Sequence, residues 1–181
     1  MIRIDFSKLR FLVVDDNPHM RRILRTVLVG FGSREIRDAV DGATGLDAFT
    51  QFTPDVVIMD WAMPMLDGLE FARMIRQPDD NASPFTPIIM LTAHSERTRV
   101  TAARDAGVTE FMVKPISAMG LHRRIVNIIA NPRRFIRTTT YFGPDRRRNV
   151  NPNYGGLDRR KAAKAALVRQ DHLTDKAKAL N

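Results

Sequence analysis

Cysteine is absent from the 181 residues, which excludes disulfides and thiol-based metal or redox chemistry. Long apolar runs are absent too. Arg3, Lys8 and Arg10 precede only Phe11-Leu12-Val13-Val14, too short for a signal sequence or a membrane span. The expectation is a cytoplasmic protein without membrane association. There is no internal repeat, and His19, His94, His122 and His172 show no metal-ligand spacing. Residues 1–130 also lack any excess of charge, with 16 Lys/Arg against 16 Asp/Glu, whereas residues 131–181 hold 13 against 4. The whole net charge of +9 therefore sits in the tail. This asymmetry divides the chain into a neutral domain over 1–130 and a basic C-terminal extension over 131–181.

What is present in the neutral part is strict alternation of strand and helix signals. Residues 11–14 form a continuous apolar run, as expected of a strand buried on both faces. Asn17-Pro18 is a helix start, followed by Met20, Ile23, Leu24, Val27, Leu28 and Phe31 at helical spacing. Further strands are predicted over 35–40, 56–59, 88–91 and 111–113, with helices after Asp41-Gly42 and over 67–75, 95–106 and 117–130. Residues 77–87, with three prolines, read as a loop. Five βα units predict an α/β fold, a flavodoxin-like doubly wound five-stranded parallel sheet of order 2-1-3-4-5.

Ligands of such a sheet bind outside the carboxyl ends of its strands, at the switch point between strands 1 and 3. Those ends carry Asp15-Asp16, Asp60, Thr92 and Lys114-Pro115. Three carboxylates brought together repel one another, so either some are protonated or a cation lies among them. An all-oxygen donor set suits magnesium, and a carboxylate beside such a metal is a usable nucleophile for phosphoryl transfer. Lys114 and the Thr92 hydroxyl are suited to phosphoryl oxygens. Each segment alone has an ordinary explanation: a turn, a helix cap, a strand end. Their combination, in order and at this spacing, is specific.

On these residues the chain resembles the receiver domain of two-component response regulators, in the style of the single-domain chemotaxis type. The matching segments are Phe11-Leu12-Val13-Val14-Asp15-Asp16, Asp60-Trp61-Ala62-Met63-Pro64-Met65-Leu66-Asp67-Gly68, Leu91-Thr92-Ala93 and Phe111-Met112-Val113-Lys114-Pro115, with Met20-Arg21-Arg22-Ile23-Leu24 in the first helix. The likeness spans about residues 8–130. It implies that Asp60 accepts a phosphoryl group from a histidine kinase or histidine phosphotransfer protein. It implies that Asp16, Asp60 and the backbone carbonyl of Ala62 ligate Mg2+, with Asp15 assisting. Thr92 and Lys114 would contact the phosphoryl group, and Lys114-Pro115 would be cis. Thr92 and Phe111 would act as switch residues, Phe111 standing where the family often has Tyr and so lacking a hydroxyl for readout. Ala62 and His94 hold positions that tune phosphoryl lifetime. The added charge, about −1.5 to −2, would shift the population between two states and be read by an unidentified output protein. The resemblance implies a phosphoacceptor rather than a dedicated enzyme.

The tail is too short and too poor in apolar residues for a winged helix. Residues 131–148 read as an arm that Phe135, Ile136, Tyr141 and Phe142 anchor on the domain or on a partner, followed by a hinge over 149–156. A helix is expected over 157–180, against the simpler reading of a partly unstructured solvated segment. The arm is expected to dock or to regulate the domain. The alternative is a regulator whose basic tail binds nucleic acid, which by charge alone is salt-sensitive and blind to sequence.

Overall fold

A computed structural model describes residues 4–77, 83–93, 96–138, 140–145 and 166–168. Five parallel strands, β1 (Arg10–Val14), β2 (Glu35–Ala39), β3 (Val56–Asp60), β4 (Ile88–Thr92) and β5 (Glu110–Val113), pair in the order β2-β1-β3-β4-β5. The doubly wound sheet expected from the alternation is therefore the fold. Helices α1 (Pro18–Gly30), α2 (Gly42–Phe52), α3 (Gly68–Ile75), α4 (Arg97–Asp105) and α5 (Ala118–Ala130) make the crossovers.

The two-residue period of each strand divides the core between the two faces. Phe11, Val13, Val56, Ile58, Ile89 and Leu91 face α1 and α5, meeting Leu24, Leu28, Leu121 and Ile125. Leu12, Val14, Val57, Met59, Ile88 and Met90 face the other way, meeting Phe49, Phe71, Ile75 and Ala103 on α2, α3 and α4. A strand buried on both sides must be apolar throughout, which is why β1, β3 and β4 read as continuous hydrophobic runs. A turn of 3-10 helix over Phe6–Lys8, which the periodicity does not announce, adds Phe6 to the first face.

Helix starts are fixed by side chains. Asn17 Oδ1 accepts from the His19 and Met20 N–H groups, and Pro18 opens α1. Asp41 with Thr44, and Asp67 with Glu70, form reciprocal capping boxes on α2 and α3. The Ser117 hydroxyl accepts from Gly120 N–H on α5. Helix α4 has no side-chain cap and is the least secured of the five at its N-terminus.

The arm packs on the domain. Strands β6 (Phe135–Arg137) and β7 (Phe142–Pro144) form an antiparallel hairpin. Phe135 is 1% exposed, its ring 5.2 Å from Phe85 and 5.6 Å from Phe142. The Arg76 guanidinium stacks over it at 5.2 Å. The Tyr141 hydroxyl donates to the Pro144 carbonyl at 2.9 Å and lies 3.4 Å from the Arg104 carbonyl at the end of α4. Arg133 approaches Glu110 at 3.9 Å, and Arg124 pairs with the same carboxylate. Phe85 precedes β4 and Glu110 opens β5, so the arm lies at the amino ends of the strands, the pole away from Asp60.

One expectation is corrected. Within the helix expected over 157–180, Ala166–Val168 form a strand, β8, antiparallel to β6. An Ala- and Lys-rich composition is only a weak helical prior, and the second edge of β6 offers unpaired backbone groups that a strand satisfies. The rest of that segment, the hinge over 149–156 and His94 lie outside the described residues.

Burial of Phe135 makes the arm part of the folded unit. Phe135→Ala should lower stability by about 3–5 kcal/mol, measured by urea unfolding of the full chain. Ile23→Ala on the exposed face of α1 should stay within about 1 kcal/mol. Equal effects of the two changes would show that the arm does not contribute to the core.

Candidate functional site

Strand register assembles the expected residues at one pole. Parallel pairing puts Val14 beside Met59, Asp60 beside Leu91, and Thr92 beside Val113. The four neighbouring strands therefore release their polar residues in steps at one pole, Asp15 level with Asp60, Thr92 one residue further along and Lys114 one further still. Continuing backbone bonds carry the ladder into the loops: Trp61 N–H to the Leu91 carbonyl at 2.8 Å, and Lys114 N–H to the Thr92 carbonyl at 2.7 Å.

At this pole the carboxylates of Asp15, Asp16 and Asp60 each offer an oxygen, all within 4.8 Å of one another. Asp15 is fully buried, Asp60 nearly so, and Asp16 is exposed. The Lys114 ammonium reaches between the strands to Asp60 Oδ1 at 2.8 Å and Asp15 Oδ2 at 3.3 Å. The peptide bond that follows it, to Pro115, is cis. Thr92 is buried at the end of β4, and Phe111 is half-buried on β5 against the α2–α4 side of the core. Ala62 is exposed two residues past Asp60. Asp67, which the sequence reads as a helix cap, is one.

The electrostatics follow from burial. Removal from water pushes the Asp15 carboxyl above its usual range, with Asp60 adding to the rise. The Asn17 N–H and Lys114 oppose it. Burial acts on Lys114 in the opposite sense, but its bonds to Asp60 and Asp15 outweigh that and hold the ammonium above its ordinary value. One cation thus compensates a cluster of three carboxylates, which leaves an acidic site built wholly of oxygen donors. Such a donor set fits a hard divalent cation.

Two residues of the site escaped sequence reading. Arg21 on α1 donates from Nη1 to the carbonyls of Asp15 at 2.6 Å and Asp16 at 3.2 Å, fixing the loop that presents both acids. Its signal was available only as one arginine among several on an amphipathic helix. Arg99 on α4 stacks over Trp61 at 5.5 Å, a contact no sequence spacing suggests. The loop between Asp60 and α3 is closed by Gly68, where a Cβ would lie 2.5 Å from the Asp60 carbonyl oxygen. Only glycine lets α3 start against the end of β3.

Comparison with known proteins agrees with this geometry. The response regulator receiver domain family matches residues 11–126. Chemotaxis protein CheY-3 of Vibrio cholerae is 33% identical over 122 residues, covering 67% of this chain and 92% of that protein. The structure of CheY4 from Vibrio cholerae superposes with a TM-score of 0.62 at 29% identity, covering 66% of this chain and 98% of that one. A CheX–CheY–BeF3–Mg2+ complex from Borrelia burgdorferi gives 0.60 at 25% identity, over 66% and 88% of the two chains. Nothing in these relatives supports the nucleic-acid role expected of the tail as the alternative.

A raised carboxyl pKa means that ionised Asp15 disfavours the fold in the absence of a cation. The proton it retains stabilises the protein at low pH, and that contribution is lost as pH rises from the ordinary carboxylate value through the raised one. Asp15→Asn should therefore raise the thermal midpoint of the cation-free protein at neutral pH and flatten that part of its pH dependence, both measurable by calorimetry in chelator. A lower midpoint for the variant would contradict this balance.

Proposed function

The chain belongs to the response regulator receiver family, of the chemotaxis CheY kind, and from that premise we propose that it is a phosphoacceptor modified on Asp60. The observation that carries this reading is the convergence of Asp15, Asp16 and Asp60 within 4.8 Å, with the Lys114 ammonium 2.8 Å from Asp60. A nucleophilic carboxylate, an acidic cation site and a fixed positive charge are the parts that phosphoryl transfer to a carboxylate requires.

Asp60 supplies the attacking oxygen. As its new bond to phosphorus forms, the bond from phosphorus to the donor nitrogen of a histidine kinase or phosphotransfer protein breaks, and the histidine leaves with its electron pair. Lys114 holds Asp60 oriented before transfer and takes up charge on the phosphoryl oxygens after it. Thr92, at the end of the adjacent strand, offers a hydroxyl to the same oxygens. Asp15, Asp16, Asp60 and the Ala62 carbonyl would hold Mg2+, which when bound neutralises charge on the transferring phosphoryl group. Arg21 keeps the Asp15-Asp16 backbone in place for that purpose.

Movement of Thr92 toward the modified Asp60 pulls on β4 and the loop into α4, the helix without a side-chain cap. Phe111 on the neighbouring strand is the candidate to follow by changing its packing. Readout then occurs by protein contact with an output protein. The proposed organisation is a receiver over 1–130 with a basic extension over 131–181, acting in the cytoplasm. Family members of this kind are phosphoacceptors rather than dedicated enzymes.

Incubation with acetyl phosphate and Mg2+ should add one phosphoryl group, seen by intact mass. Asp60→Asn should add none, and chelation of the metal should prevent the reaction. Lys114→Met should slow it by roughly 10²-fold. Equal incorporation by Asp60→Asn and the unaltered protein would overturn the assignment. Beryllofluoride with Mg2+ should change the fluorescence of Trp61, the single tryptophan, with Asp60→Asn unresponsive.

A further inference from the structure

Arg76, at the end of α3, is a buried cation with no carboxylate partner among the described residues. It is 4% exposed. Its Nε donates to the Gly107 carbonyl at 3.0 Å and its Nη1 to the Pro84 carbonyl at 2.7 Å, while Nη2 has no partner. The guanidinium also stacks on the face of Phe135. No carboxylate pairs with it among the described residues. Burial lowers its pKa from the usual arginine value to about 9. A guanidinium removed from water without a counter-charge is costly, so an anion nearby would be favourable for a reason already built into the fold.

The place for one lies directly beside it. A groove of about 410 Å3 opens between the receiver and the arm, with Arg73, Arg76, Gln77, Asp105, Arg137 and Thr138 in its lining. Among its described lining residues, three arginines stand against one aspartate. Arg73 comes from α3 and Arg137 from β6, so the groove exists only because the arm is folded onto the domain. It lies at the pole away from Asp60. Planar guanidinium groups match the oxygens of phosphate better than a single point charge does, and the volume suits a small molecule rather than a macromolecular segment.

We propose that this groove binds a small phosphate-bearing molecule, held by Arg73 and Arg137 and supplying a counter-charge beside buried Arg76. The ligand would rest on both the arm and the receiver. Its binding would stabilise the docked arm through the Arg76–Phe135 contact and the Tyr141 contact with the end of α4. A second input, separate in place from the phosphoacceptor, would then reach the same domain.

The test uses the full chain in chelator, without Mg2+, and pyrophosphate as the probe. Thermal unfolding is followed against sodium chloride at matched ionic strength. Pyrophosphate should raise the midpoint in a saturable manner, and Arg73→Gln and Arg137→Gln should each weaken its apparent affinity about tenfold. Both replace exposed side chains and should leave the circular dichroism spectrum unchanged. Arg76→Met, which keeps an apolar body against Phe135, should also lose the response. All three variants should keep the Trp61 response to beryllofluoride and Mg2+, so failure here is distinguishable from failure at Asp60. Equal stabilisation by matched chloride, or wild-type affinity in the Arg73→Gln/Arg137→Gln double variant, would overturn the proposal.

Discussion

The contact between Lys114 and the carboxylates of Asp60 and Asp15 is the constraint around which the domain is arranged. Three acids within 4.8 Å repel one another, and one ammonium does not neutralise them. The arrangement survives because the groups sit at the ends of adjacent strands whose register is locked by a core on both faces. Hydrophobic burial, on the order of 25 cal/mol per Å2 of apolar surface, carries the stability that the acidic site opposes. Destabilisation at the site and abundance of apolar side chains in the sheet are two sides of one balance.

The same balance shows in which elements side chains hold the site in place. Asp15 is held by the Asn17 N–H and, through its carbonyl, by Arg21. Asp60 is held by Lys114 and by the tight approach of Gly68 to its carbonyl. Those elements are capped and packed. Helix α4 starts without a side-chain cap and meets the site through Arg99 over Trp61. A chemical change at Asp60 therefore has one rigid boundary and one yielding boundary, and the yielding one faces β5 and Phe111.

The arm gives the yielding side a fixed far end. Tyr141 lies against the last turn of α4 and Arg133 against Glu110 on β5, while Phe135 closes over Arg76. The basic extension is thus integrated with the receiver over residues 133–145, at the pole opposite the site. Part of its positive charge, that of Arg133, meets Glu110 of the receiver.

The sheet, its order and its acidic pole were legible because the periodicities that encode them are local. Apolar runs mark buried strands, Asn17-Pro18 and Asp67 mark helix starts, and the residue after each run marks the carboxyl end. Asp15, Asp16, Asp60, Thr92 and Lys114 could therefore be placed together from spacing alone. Arg21, Arg99 and Arg76 could not. Arginine is common on helices, and only three-dimensional packing decides which one meets a carbonyl, a tryptophan or the underside of a phenylalanine. The strand at Ala166–Val168 shows the same limit, since its partner β6 lies far away in sequence and a local helical preference was the only signal at hand. The sequence by itself determined the fold and which polar groups stand at the strand ends, because those follow from patterns a few residues long. Only the tertiary structure decided where the arm sits and which arginine is buried beneath Phe135, because both depend on contacts between segments whose local patterns carry no record of each other.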